Sequence, residues 1–244
     1  MSTKRLDHWL LAHDMAKSRT HAMRLIRDGV VEVNGRVVEK PSKQVELEAV
    51  VRVTRKDRYV GRGGKKLEAA LRQYEVVVRD KCCLDVGAST GGFTDCLLQH
   101  GATDVLAIDV GHNQMSADLA SDKRVRYIEG INARALQPSA FGQWFDIIVA
   151  DVSFISLTLV LPGITAQAQE GCDLIALIKP QFELRSAALN RKGVVRSHEL
   201  RLQAVDKVIA WFTSAQGWKT QGVMDSPIPG GNGNQEYLIY AKKN

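Results

Sequence analysis

Between Asp85 and Gly92 the chain reads DVGASTGG, an acid and three glycines set between an apolar run, CCLDV, and a stretch of helical periodicity. A strand that runs into an acid, a glycine-rich turn and a helix lets backbone pass close to a nucleotide-like ligand at the carboxyl end of a parallel sheet. The glycines are not spaced as GxGxxG, and no GxxxxGK followed by Ser or Thr occurs, so neither a dinucleotide nor a triphosphate is addressed. A ligand with an adenosine and an amino acid but no pyrophosphate remains, and S-adenosylmethionine fits. Asp85 could orient its ammonium group, and Gly87, Ala88, Ser89, Thr90, Gly91 and Gly92 could cover its amino-acid tail. Asp109, at the end of the next apolar run, could accept from the ribose hydroxyls. The alternative is an ordinary tight turn with Asp109 as a helix cap. Asp151 in VADVSF and Lys179 in LIKPQ also sit just past apolar strands, where α/β sheets present ligands; the alternative for Lys179 is a solvated charge. Asn132 in EGINAR is a candidate for the adenine or a turn former.

Elements must hold these residues in place. From Lys65 onward, Leu67, Ala70, Leu71 and Tyr74 form one helical stripe, and EVVV reads as a short extended segment. Then CCLDV, a helix over Thr94 to Gln99, DVLAIDV, a helix around Gln114 to Leu119, VRYIEG, FDIIVADV, a helix over Leu157 to Gln167 and CDLIALIKP alternate. Near-continuous apolar strands in this rhythm predict an α/β fold with a parallel sheet covered on both faces. A helix from about His198 to Ala215 and the strand EYLIY follow. The first stretch differs. Leu6, Leu10 and Leu11 have helical spacing, and a second short helix starts after the cap candidate Ser18, carries Ala22, Leu25 and Ile26 inward and stops at Gly29. VVEVNGRVV then reads as a hairpin turning on Asn34-Gly35. Residues 52–65, RVTRKDRYVGRGGK, are basic and glycine-rich and read as a linker. The expected organisation is a small α+β domain with its linker over residues 1–60 and a larger α/β domain over 61–244, with no internal repeat.

Composition agrees with two folded domains: 244 residues, 45% hydrophobic, leave room for a sizeable core. The formal charge is +6, and residues 1–66 hold 16 Lys or Arg against 8 Asp or Glu, so the basic excess lies at one end. That asymmetry suggests a polyanionic partner there. Four cysteines show no ligand spacing and read as small buried hydrophobes rather than disulfides or metal ligands. No secretory signal opens the chain and no apolar run reaches the ~20 residues that span a bilayer, so a cytoplasmic location without membrane contact is expected.

In order, KRLDHWL with SRTHAMRLIRDGVVEVNG, YVGRGGKKLEAAL, LDVGASTGGFTDCLLQHGA, AIDVG, DVSFISL, LIKPQFE, RKGVVR and GNQEYL cover nearly the whole chain. Through these stretches it resembles the TlyA, or haemolysin A, family of RNA 2'-O-methyltransferases. The resemblance implies a Rossmann-like, FtsJ-like methyltransferase sheet of about seven strands and an N-terminal S4-like RNA-binding domain. It further implies S-adenosylmethionine as donor and the 2'-hydroxyl of cytidine in ribosomal RNA as acceptor. The partner would be ribosomal RNA or a ribosomal subunit and not DNA. FtsJ-like enzymes use a Lys-Asp-Lys-Glu constellation, which the resemblance places on Lys66, Asp151, Lys179 and Glu236, with Lys65 as the alternative to Lys66. Lys179 would lie nearest the acceptor oxygen, Asp151 would hold it and face the donor, and Lys66 with Glu236 would form an outer pair. In the small domain, Lys4, Arg5, Lys17, Ser18, Arg19, His21, Arg24 and Arg27 would face RNA backbone, and Arg62 would reach a phosphate beside the target nucleotide.

Other nucleic-acid methylations fit less well. Amine methylation commonly uses Asn/Asp-Pro-Pro-Tyr/Phe at this strand end, and DVSF has no proline; a pyrimidine-carbon mechanism needs a cysteine nucleophile, and neither Cys96 nor Cys172 is placed directly after the fourth strand. Transfer RNA as substrate, and a non-catalytic RNA-binding or assembly protein, remain as rivals. Phe154 either stacks near the target base or packs inward, and packing is the preferred expectation. SPIPGGNGNQE is either a mobile lid that delivers Glu236 or a plain connection. The haemolysin label has no counterpart, since neither a toxin-like amphipathic helix nor a membrane span is present.

Overall fold

The computed structural model describes residues 3–16, 18–27, 29–54 and 58–244. Lys17, expected at a phosphate, lies outside them. The chain divides into two compact units, one ending at Arg58 and the other spanning Tyr59–Asn244.

The first unit contains β1 (Thr3–Arg5), α1 (Leu6–Ala12), α2 (Arg19–Arg27), β2 (Val31–Val33), β3 (Arg36–Val37), β4 (Gln44–Glu46) and β5 (Val51–Val53). Leu6, Trp9 and Leu10 of α1 meet Ala22, Leu25 and Ile26 of α2 over Val31, Val45 and Val51. Leu11, grouped with Leu6 and Leu10 by spacing, is exposed; residues 6, 9 and 10 are the i, i+3, i+4 set, so Trp9 completes the stripe. Ser18 Oγ accepts from the His21 amide at 3.1 Å, closing the start of α2. Asn34 and Gly35 both take positive φ, 50° and 75°, and turn β2 into β3, as the Asn-Gly pair predicts.

The second unit contains α3 (Arg62–Gln73), β6 (Cys82–Val86), α4 (Gly92–Gln99), β7 (Asp104–Ile108), α5 (Ala117–Ala120), β8 (Val125–Ile128), β9 (Phe145–Ala150), α6 (Leu157–Thr165), β10 (Ala168–Ile178), α7 (Pro180–Glu183), α8 (His198–Ser214), β11 (Trp218–Asp225) and β12 (Tyr237–Lys243). Its seven strands form one sheet in the order β11-β12-β10-β9-β6-β7-β8. The run from β10 to β8 is parallel, and β12 is antiparallel to both β10 and β11. Strand parity divides the core: Leu84, Val86 and Ile148 point toward α6 and α8, while Cys83, Ile147 and Val149 point toward Leu67, Leu71, Phe93 and Leu97 of α3 and α4. Burial on both faces explains why these strands read as continuous apolar runs. The cysteines are free thiols inside this packing, and desolvation pushes Cys82 up to about 12.

The linker expectation is corrected, EVVV is placed, and one strand is added. The linker read over residues 52–65 is partly β5 and partly the first turn of α3, because glycines at 61, 63 and 64 let that helix approach its neighbours closely. EVVV, residues 75–78, pairs with no strand. β11 escaped the reading because WKTQGVMD, bonded on one side only, lacks an apolar repeat.

Candidate active site at the strand ends

The carboxyl ends of β6 and β9 lie side by side. Val86 pairs with Ala150, the Asp151 amide donates to Val86 O at 2.9 Å, and Gly87 therefore crosses beside Asp151. A Cβ on Gly87 would stand 2.6 Å from Asp151 O, and its φ is +81°, so both space and backbone demand glycine. Gly91, at φ +93°, leads into α4 where a Cβ would meet Leu119. Within the turn, Ala88 is buried with its amide on Ile108 O, Ser89 and Thr90 are exposed, and Gly92 packs against Gly64 of α3.

Asp85 lies at the end of β6 with no exposed surface. Thr94 Oγ1 donates to its Oδ2 at 2.6 Å, and Oδ1 is buried with no hydrogen-bond partner among the described residues. Desolvation, reinforced by the charges of Asp151 and Asp109 and opposed by the Thr94 hydrogen bond, pushes its carboxyl up to about 7. An unpartnered buried oxygen beside a backbone cradle with no room for side chains suits the cationic amino group and tail of S-adenosylmethionine. Asp109 accepts from the amides of Ser89 and Gly111, each at 2.7 Å, and so braces the turn itself. Asn132 is exposed and accepts from the Arg134 amide at 3.1 Å, the turn-forming role given as its alternative.

Two lysine–carboxylate pairs stand next to this turn. Ile178 of β10 pairs with Tyr237 of β12, so Lys179 and Glu236 occupy neighbouring strand ends. Lys179 Nζ lies 2.5 Å from Asp151 Oδ1 and donates to Ser153 Oγ at 2.8 Å. Lys66 Nζ donates to Glu236 Oε2 at 2.5 Å, with side chains only 7% and 3% exposed. In α3, Gly63, Lys66, Leu67 and Ala70 share the inner face while Lys65 is exposed. A Cβ on Gly63 would lie 3.8 Å from Asp151 Oδ2, which places that face against the first pair. Gly230 makes room for Glu236, whose Oε1 would sit inside any side chain there. The connection before Glu236 is tied down by buried Asn234, which bonds the Val195 amide and the carbonyls of Gly193 and Gly231.

Ser153 was missed by sequence reasoning, since a serine in a loop carries no signal beyond its place two residues after Asp151. Phe154 is corrected: at φ +64° its side chain turns outward, 91% exposed, with its ring 5.2 Å from that of Phe182.

In the small unit, buried Asp7 accepts from Arg5 at 3.0 and 2.9 Å and from Arg19 at 3.2 Å. Those guanidinium hydrogen bonds, Arg5 foremost, hold its carboxyl down at about 2. Lys4 and Arg27 are exposed, His21 and Arg24 half-buried, and Arg62 lies exposed in the first turn of α3.

Comparison with known proteins agrees with this anatomy. Residues 59–243 match the FtsJ-like methyltransferase family and residues 4–51 match the S4 domain. Fold and sequence together thus define a methyltransferase accompanied by an S4 domain. The 16S/23S rRNA (cytidine-2'-O)-methyltransferase TlyA of Mycobacterium tuberculosis is 41% identical over 240 residues, covering 98% of this chain and 89% of the relative. Hemolysin A of Brachyspira hyodysenteriae is 39% identical over 237 residues, covering 97% and 98%. A solved hemolysin-type structure from Streptococcus thermophilus superposes with a TM-score of 0.77 at 38% identity, covering 100% of this chain and 90% of that one. The chain belongs to the TlyA family of FtsJ-like methyltransferases.

Proposed function

We propose that this protein transfers a methyl group from S-adenosylmethionine to the ribose 2'-hydroxyl of cytidine in ribosomal RNA, acting on ribosomal subunits in the cytoplasm. The observation that carries the reading is the meeting of the Lys179–Asp151 and Lys66–Glu236 pairs beside the glycine turn. When bound, the donor supplies an electrophilic methyl group on a sulfonium.

The protein's work is done by its own residues. A ribose hydroxyl is a weak nucleophile that must be oriented and relieved of its proton. An ammonium has three donors; Lys179 gives one to Ser153 Oγ and is ion-paired with Asp151, which leaves donor capacity for the acceptor oxygen. A cation so placed stabilises the developing alkoxide. Asp151 fixes that ammonium and turns negative charge toward the donor. Lys66 and Glu236, nearly dry, fix the ribose side. Asp85 holds the donor's ammonium from beneath the turn, and the S4 domain supplies the RNA backbone contacts.

The Lys179→Met variant is expected to lose at least about 100-fold in turnover, as removal of a group that stabilises developing charge does, while donor binding by calorimetry stays near wild type. The acceptor is identified by mapping ribose methylations in purified ribosomal subunits from a deletion strain, before and after adding protein and donor. Methylation of transfer RNA alone, or donor binding without transfer to any RNA, would replace this reading by one of its rivals.

A further inference from the structure

Beyond the four charged residues of the two pairs, the strand ends hold another buried carboxylate. Glu183 closes α7, the single turn that begins immediately after Lys179, and its side chain is only 1% exposed. Its Oε2 accepts from Ser156 Oγ at 2.5 Å and its Oε1 from the Leu157 amide at 2.6 Å. Lys207 of α8 donates to the same Oε2 at 3.0 Å, and to Ser156 Oγ and Glu183 O at 3.0 Å each.

Of these partners, Ser156 ends the loop of residues 151–156 that leaves β9, and Leu157 is the first residue of α6, which that loop enters. The loop also carries Asp151 and Ser153, both partners of Lys179. Its near end is fixed by the Asp151 amide on Val86 O. Its far end is fixed by Glu183. The contacts make a closed ring: Lys179 to Asp151 and Ser153, along the loop to Ser156 and Leu157, across to Glu183, and back through α7 to Lys179. α7 itself starts rigidly, with Pro180 in its first position and the Phe182 amide on Lys179 O at 2.8 Å.

We infer that Glu183 is a positioning residue for methyl transfer, clamping the 151–156 loop to α7 so that Lys179 Nζ stays in register with Asp151 and Ser153. A plain cap of α6 would need only an exposed serine or aspartate. A dry carboxylate is expensive unless fully partnered, and this one takes a cation, a hydroxyl and an amide to span the two elements that carry the reacting pair. Misplacement of a reacting group by about 1 Å costs roughly 100-fold in rate, so a clamp at this point acts on turnover rather than on affinity.

The inference rests on the reading of Lys179 and Asp151 as catalytic, and its test separates the two. Glu183→Ala, assayed on ribosomal RNA well below its melting temperature, is expected to lower kcat by about 10- to 100-fold, with KM for RNA and donor affinity within about twofold of wild type. Glu183→Gln keeps an acceptor for the Leu157 amide and an amide that can pair with Ser156, and should recover part of that loss. If Glu183→Ala does not fold, Ser156→Ala, which deletes one hydroxyl from the loop side of the clamp, replaces it and should lower kcat by about 3- to 10-fold with the same unchanged KM. Unchanged kcat in the folded variant, or a loss of donor affinity as large as the loss of kcat, overturns the positioning role. An active Lys179→Met variant would instead sink the underlying site assignment, whereas an inactive one beside a fully active Glu183→Ala sinks this inference alone.

Discussion

Asp85 carries a carboxylate with no exposed surface and only one hydrogen-bonded oxygen, and that arrangement has measurable consequences. Its folded pKa of about 7 lies above the ordinary value of about 4. A raised acid favours the fold while protonated, so this group's contribution is fully present below about pH 4 and is lost as the pH rises toward 7. The donor-free protein should therefore lose melting temperature across that window, and Asp85→Asn should flatten the loss. Donor affinity should run the other way, tightening as the pH rises toward about 7 and the carboxylate ionises and levelling off above it, and Asp85→Asn should bind weakly with no such rise. Equal pH slopes in the two proteins, read by thermal melts and calorimetry, would rule this out. Such an environment was only half legible beforehand. DVGASTGG marks Asp85 by its place before the glycines, but the missing partner of its second oxygen depends on what surrounds it in three dimensions. Lys66 and Lys65 make the same point: neighbours in sequence, they are separated only by the direction each takes from α3.

At the scale of elements, the strand-to-helix turns do the positioning. The turn after β6 crosses the end of β9 so closely that Gly87→Ala must push Asp151 aside or strain the backbone. A non-glycine residue held there costs about 1–3 kcal/mol. The variant is expected to melt earlier and to bind donor at least about tenfold more weakly, the affinity equivalent of 1.4 kcal/mol, in the same calorimetric assay. Normal donor affinity would show that the turn has slack. Most of these elements were readable, because parallel strands buried on both faces are apolar throughout and Asn34-Gly35 announces its own hairpin. β11 was not readable, since an edge strand bonded on one side tolerates polar residues, and neither was the outward turn of Phe154, which depends on a positive φ at a loop residue.

For the molecule as a whole, the charge division is the governing feature. Residues 1–66 carry the basic excess, whereas the two buried lysines beside the strand ends, Lys66 and Lys179, are each paired with an acid. RNA binding by the full chain should weaken steeply with salt. Replacing the exposed Lys4 and Arg27 with glutamine should lower the slope of log affinity against log salt by roughly 0.7–0.9 per charge removed, while leaving donor affinity unchanged. An unaltered slope in filter binding would move the RNA contact elsewhere. By itself the sequence determined the α/β alternation, the glycine turn, the basic N-terminal domain and the resemblance that names four charged residues, because periodicity, turn chemistry and motif order are properties of the chain read in line. Only the tertiary structure decided which lysine of a doublet enters the site, that Ser153 and Glu183 belong to its neighbourhood, and that Phe154 faces outward. The first two depend on contacts between segments far apart along the chain, which sheet register and helix rotation bring together, and the third on one loop residue's backbone angle.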